Sequence, residues 1–156
     1  MVSAAPRRAG GFTMPELMAV VAIVAILASV AAPAFSSMIA SVRSRSVSSE
    51  LYATLARARS EAIKRNAEVT LAPATARQWQ LGWSIADPAN AGRKLDDHPA
   101  VVGATVSGPD SVVFLPNGRV RSDTLPAFDI AASGNATRRC IRIDLSGRPN
   151  QSTSAC

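Results

Sequence analysis

Residues 17–42 carry no charged side chain, and within them residues 17–35 (LMAVVAIVAILASVAAPAF) form a run of 19 almost wholly apolar residues. At 1.5 Å rise per residue such a helix reaches about 28 Å, most of the ~30 Å hydrocarbon core of a bilayer. A buried helix of a soluble domain is the alternative, and this length and hydrophobicity disfavour it. The run therefore predicts a membrane span. Roughly 120 residues then remain for one domain with a modest core, too few for two comfortable ones.

A secretory signal places basic residues first, a short apolar stretch next and a small-residue cleavage site last. Here Arg7 and Arg8 come first, but the small pair Gly10-Gly11 precedes the apolar run. Cutting at that pair would remove a basic leader and leave the span on the mature chain. The stretch Gly11-Phe12-Thr13-Met14-Pro15-Glu16 resembles the class III leader, GFTxxE, of type IV pilins and type II secretion pseudopilins. The resemblance implies cleavage between Gly11 and Phe12 by a prepilin peptidase, and N-methylation of the new terminal Phe12.

A carboxylate in a membrane helix costs up to about 2.5–3.5 kcal/mol, the figure for the bilayer centre, so Glu16 needs a partner. Physical chemistry alone offers the headgroups, by snorkelling, or the positive end of its own helix. The resemblance implies another: the free amine of Phe12 on a neighbouring subunit, so that the charge selects for filament assembly. Pro15 suits a first helical turn, whereas Pro33 interrupts the backbone ladder of a helix that otherwise continues. Arg7 and Arg8 favour a cytoplasmic N-terminus. Arg43 and Arg45 on the other flank dilute that asymmetry. The pilin resemblance implies a single-pass protein of the bacterial inner membrane with its C-terminal domain in the periplasm, filament-associated after assembly.

Beyond the span no turn signal appears until Asn66. Met38, Val42, Leu51, Leu55, Ala58, Ala62 and Ile63 keep near-helical spacing, which extends the helix over residues 37–66. The rest is strand-like, at residues 68–71, 78–86, 111–115, 119–122, 127–131 and 140–145. In Trp79-Gln80-Leu81-Gly82-Trp83-Ser84-Ile85 the large apolar residues alternate, which predicts one strand with both tryptophans on its core face. Asn117-Gly118 signals a two-residue hairpin, Ser146-Gly147 a weaker one, and residues 86–108 read as a loop. The organisation is thus a leader at 1–11, a transmembrane helix at 12–36, its periplasmic continuation at 37–66 and a β-rich head at 67–156.

The run LARARSEAIKR at 55–65, then Val69-Thr70-Leu71, Gly82-Trp83, Phe114 with Asn117-Gly118-Arg119, and Cys140-Ile141 with Ser146-Gly147-Arg148, look like the GspH/FimT family of minor pilins and pseudopilins. The resemblance covers nearly the whole chain. It implies an α+β, pilin-like fold: a long N-terminal helix, transmembrane in its first half, packed on a C-terminal antiparallel β-sheet domain. It also implies a subunit that joins and primes a type IV pilus or type II secretion pseudopilus, with other minor and major pilins or pseudopilins as partners. Cys140 and Cys156 are the only cysteines. An even count in an exported domain reads as one disulfide, two reduced thiols being the alternative. Family members often carry a cysteine just after the first strand; Ala72-Pro73 stands there, so a disulfide must use the C-terminal pair.

No enzyme is indicated. His98 is the only histidine, and no CxxC, GxSxG or phosphate-binding glycine loop occurs, so catalysis, metal and cofactor binding lack their usual parts. Asp96-Asp97 could be imagined on calcium, but two adjacent acids without ordered oxygen donors read as a solvated loop. The chain carries a net charge of +6, and 15 of its 17 basic residues are arginine, a side chain suited to phosphates and carboxylates. Some FimT-like minor pilins bind DNA through a GRxR motif. Gly118-Arg119-Val120-Arg121 matches it literally, while Gly147-Arg148-Pro149-Asn150 keeps only the first arginine. The alternative function is therefore sequence-independent DNA binding through Arg119, Arg121 and Arg148. Solvent-facing arginines on ordinary hairpins are the plainer account.

Overall fold

The computed structural model describes residues 12–132 and 138–156. It divides into two compact units, one reaching Ser36 and one spanning Ser37–Cys156, with helix α1 (Met14–Arg65) contributing to both.

In the first unit every described residue is exposed. The only polar groups inside its apolar stretch are hydroxyls, and they turn back on the helix. Ser29 Oγ donates to the Ile26 carbonyl at 2.7 Å and Ser36 Oγ to the Pro33 carbonyl at 2.9 Å. Such local bonding lets serine sit in an apolar helix without an unsatisfied donor. Pro33 lies inside the helix, as expected.

In the second unit α1 becomes one-sided. Ala40, Ser44, Val47, Ser48, Leu51, Thr54, Leu55, Ala58 and Ala62 are buried at steps of one, three and four, a single stripe of a 3.6-residue period. The helix stops at Asn66, whose φ of +49° is the left-handed cap conformation. Asn66 N–H donates to the Ile63 carbonyl and Ala67 N–H to that of Ala62, both at 3.2 Å, the paired bonds of a Schellman motif.

Eight strands follow: β1 (Val69–Pro73), β2 (Trp83–Asp87), β3 (Asn90–His98), β4 (Ala104–Ser107), β5 (Val112–Phe114), β6 (Ala127–Ala132), β7 (Arg138–Ile143) and β8 (Pro149–Ser152). They form two antiparallel sheets of four, ordered β3-β2-β1-β5 and β4-β6-β7-β8. The α1 stripe and both sheets share one core, in which Trp79, Trp83, Phe114, Phe128, Leu51 and Leu55 are fully buried. This is the expected α+β plan.

Local expectations fared less evenly. Residues 86–108, read as a loop, contain β3 and β4. The expected strand at 78–86 is broken: Trp79–Leu81 form a 3-10 turn, Gly82 takes φ +102°, and β2 begins at Trp83. Both tryptophans are core, but Trp79 enters from the turn, edge-on to Phe128 at 4.8 Å, and Leu81 is 45% exposed. The expected strand at 119–122 reduces to one bridge, Phe114 to Val120.

Candidate functional site

Three places hold the residues singled out above. At the N-terminus, Phe12 is 82% exposed, while Gly11 and the rest of the leader lie outside the described residues. Thr13 N–H donates to Glu16 Oε2 at 3.5 Å and Leu17 N–H to the Thr13 carbonyl at 3.1 Å. The pattern Thr-x-x-Glu is that of a capping box, in which the glutamate satisfies a donor that the first helical turn leaves orphaned. In the single chain, then, Glu16 takes the partner its own helix end offers, and its carboxylate remains exposed.

The second place is the C-terminal staple. Cys140 and Cys156 form the expected disulfide, with Cα atoms 5.0 Å apart and a separation of 16 residues. Arg142 Nη2 donates to the Cys156 carbonyl at 2.6 Å, fastening the tail after β8 to the outer face of β7.

The third place is where two turns meet. Leu115 N–H donates to the Arg119 carbonyl and Gly118 N–H to that of Leu115, both at 2.8 Å. Asp144 N–H donates to the Arg148 carbonyl at 3.1 Å, and Gly147 N–H to that of Asp144 at 2.9 Å. These are three-residue hairpins closed by a left-handed glycine, Gly118 at φ +78° and Gly147 at +80°. They correct the two-residue turn expected at Asn117-Gly118, which needs positive φ at both central residues. Pro116 pre-sets the first position of a type I turn, so only the glycine behind it is left-handed. Asn117 Oδ1 accepts Arg119 N–H at 3.0 Å, and the Asp144 carboxylate accepts Arg148 N–H at 2.9 Å. The Ser146 hydroxyl beside Asp144, together with that N–H, holds its carboxyl below the usual range.

The two tips touch each other and the helix. A Cβ on Gly147 would overlap the Gly118 carbonyl oxygen, and that oxygen accepts Arg59 Nε at 3.1 Å. Arg119 and Arg148, both exposed, are thus carried on adjoining tips beside Arg59. A groove of about 360 Å³ opens there between α1 and β8, lined by Tyr52, Arg59, Ser60, Arg148 and Asn150 among others. Arg121 is exposed too, but its guanidinium is engaged by Glu68. Arg59 is the residue that sequence reasoning passed over: it sat in the basic helix run with nothing to say which of its arginines faced the hairpins.

A further set of polar and ion-paired contacts holds the β2–β3 hairpin to the helix. Glu50 Oε2 meets His98 Nε2 at 3.1 Å, Arg57 meets Asp96 at 3.3 Å, and Arg65 meets the buried Asp87 at 3.5 Å. The Ala89 N–H, followed by Arg93 and Arg65, draws the Asp87 carboxyl below the ordinary aspartate range against the opposing effect of burial. Asp96 and Asp97 are both ion-paired, to Arg57 and Lys94. Among the described residues no group of three or more His, Cys, Asp or Glu is placed to hold a metal.

Comparison with known proteins adds to this geometry. The family model described as Type II transport protein GspH matches residues 47–147, and that described as Prokaryotic N-terminal methylation motif matches residues 6–32. Two crystal structures of the type IV minor pilin FimU of Pseudomonas aeruginosa (strain PAO1), in space groups P21 and P65, are similar in fold. They have TM-scores of 0.62 and 0.61 at 24% identity, over 69% of this chain and 87% and 91% of those chains. No curated protein matches the chain.

Proposed function

The chain belongs to the GspH family, and from that premise we propose that it is a membrane-anchored, non-enzymatic minor pilin or pseudopilin that joins and primes a periplasmic filament. A prepilin peptidase first cuts between Gly11 and Phe12 and methylates Phe12. The observation that carries this reading is the methylation motif at residues 6–32, laid over a helix whose exposed apolar surface holds one charge, Glu16. Cleavage would free an ammonium at Phe12, and the Glu16 carboxylate, now on its own cap, would exchange that weak bond for the Phe12 ammonium of a neighbour. An ion pair out of water is worth far more than an exposed one, so assembly in the membrane favours the exchange. The family description speaks for a secretion pseudopilus and the likeness to FimU for a type IV pilus.

Co-expression with a prepilin peptidase is expected to shorten the chain by 11 residues, and Gly11→Val to leave it full length. Glu16→Ala is expected to stay in the membrane and to be lost from filaments. Cleavage of Gly11→Val, or normal incorporation of Glu16→Ala by crosslinking, would defeat the respective step.

A second reading, DNA capture, is favoured by the meeting of the two Gly-Arg turns. Backbone phosphates would bridge Arg119 and Arg148 with no base contact, giving salt-dependent binding blind to sequence. In gel shifts of the detergent-solubilised chain, Arg119→Ala with Arg148→Ala should lower the salt slope by about one per lost contact. An unchanged slope removes this reading and leaves the first intact.

A further inference from the structure

The stretch of α1 just past the apolar run carries a surface that the head leaves bare. Ala40 is the first helix residue the head buries, with Ser44 and Val47 next on the same stripe. Around it, Met38, Ile39 and Val42 remain 64%, 47% and 59% exposed. Residues 99–103, the link from β3 to β4, lie at this level, because Gly103 packs on Arg43 so closely that a Cβ would overlap its Nη1. That link carries no charge, and its Val102 is 78% exposed, more than any other large apolar side chain of the Ser37–Cys156 unit. Arg43 and Arg45 are exposed, and among the described residues neither has an acidic partner.

Two arginines with no acidic partner among the described residues, on the flank beyond a span, run against the usual bias of such flanks. Length supplies a reason. The 26 uncharged residues 17–42 extend about 39 Å as a helix, about 9 Å more than the ~30 Å hydrocarbon core, enough to carry them through the headgroup layer on one side. Arg43 is thus the first charge to emerge, at headgroup level, with a side chain long enough to reach phosphates on either side of it.

We propose that Arg43, Arg45 and the Val102 link dock the Ser37–Cys156 unit on the membrane surface before assembly. The guanidiniums bind anionic phospholipid phosphates, and Val102 settles among the headgroups beside them. This rests on the reading that the preceding run spans the bilayer. The docked state holds this surface on lipid until a growing filament takes the subunit up.

The test uses the full chain in nanodiscs of phosphatidylethanolamine with phosphatidylglycerol, some lipids brominated on the acyl chain. Val102→Trp adds a reporter at an exposed position, against Trp79 and Trp83, which are fully buried. Leu145→Trp, on the hairpin tip near the far end of α1, is the control. Val102→Trp is expected to emit further to the blue and to be quenched at least twofold more than Leu145→Trp. Arg43→Ala with Arg45→Ala should lower the docking equilibrium constant about 25-fold, roughly fivefold per arginine. Equal quenching of the two reporters overturns the proposal. So does equal quenching in phosphatidylcholine discs, which denies the headgroup its role. Burial of Val102 only after other pilin-like subunits are added also overturns it and gives the surface to a neighbour. Failure of the chain to enter discs at all would instead refute the span.

Discussion

The two halves of α1 are one helix built for two solvents. Residues 14–36 are exposed all round and nearly uniform in chemistry, whereas residues 37–65 bury one stripe, much of it alanine and serine. On the proposed reading that the first half spans a bilayer, transfer out of water dominates there, and leucine, isoleucine and valine are nearly interchangeable. In the second half shape matters. Ala58, Ala62 and Ser44 let sheets approach the backbone, Leu51 and Leu55 fill what lies between, and Thr54 accepts the buried indole N–H of Trp83 at 3.2 Å. Hydrophobicity is therefore highest where packing is least specific.

The contrast can be broken most forcefully by leucine truncation. Both tryptophans lie in the second unit, so the tryptophan band of near-ultraviolet circular dichroism reports that unit alone. Leu55→Ala, at a fully buried position, should cost about 2–5 kcal/mol. Leu27→Ala, 64% exposed, should move the same transition by less than about 0.5 kcal/mol. Equal shifts would show that the halves are not independent. Next in size is the disulfide: Cys140→Ser with Cys156→Ser removes a closure over 16 residues and should cost about 3 kcal/mol. Loss of far-ultraviolet helicity in the first half on reduction would contradict the division. Gly147→Ala should follow, at about 1–3 kcal/mol, since it combines a left-handed φ of +80° with overlap on the Gly118 carbonyl. Gly92→Ala, whose Cβ would meet nothing nearer than 3.5 Å, is the neutral comparison in thermal melts.

The first half was legible because length, charge and the Gly11 to Glu16 spacing are one-dimensional quantities. The helical stripe was legible for a related reason, since a period of 3.6 survives in any window. The strands of the head were read where β-branched and aromatic residues cluster, as in β5 and β6. They were missed where pairing rather than composition makes the strand. In β3 the register slips between Ile85 and Asp87 of its partner β2, and the sequence NAGRKLDDH shows no clean alternation. Strand β8, PNQS, has no apolar side chain beyond its proline and exists because β7 offers an edge. Arg119 and Arg148 could be named from their turns. That the turns abut, and that Arg59 sits under both, depends on two sheets meeting across the helix, which no local window contains.

The smallest effect expected is on the acid stability of the Ser37–Cys156 unit. The Asp87 carboxyl lies below its ordinary range, chiefly through the Ala89 N–H, with Arg93 and Arg65 adding to it. A carboxylate whose folded pKa is depressed stabilises the fold fully above its unfolded value, near 3.9, and loses that contribution as pH falls through the folded value. Asp110, Asp144 and Glu61 are shifted in the same direction, each by hydrogen bonds made only in the folded unit. Melting of the Ser37–Cys156 unit should thus hold steady down to about pH 4 and decline below it. Asp87→Asn keeps an acceptor for the Ala89 N–H but no charge for Arg65 and Arg93, so it should melt lower at neutral pH and decline less steeply in acid. An acid decline as steep as that of the unaltered chain, or steeper, would mean that Asp87 is not among the groups whose protonation loosens the hairpin. Acid thus tests the Ser37–Cys156 unit through carboxylates whose partners only the folded unit supplies.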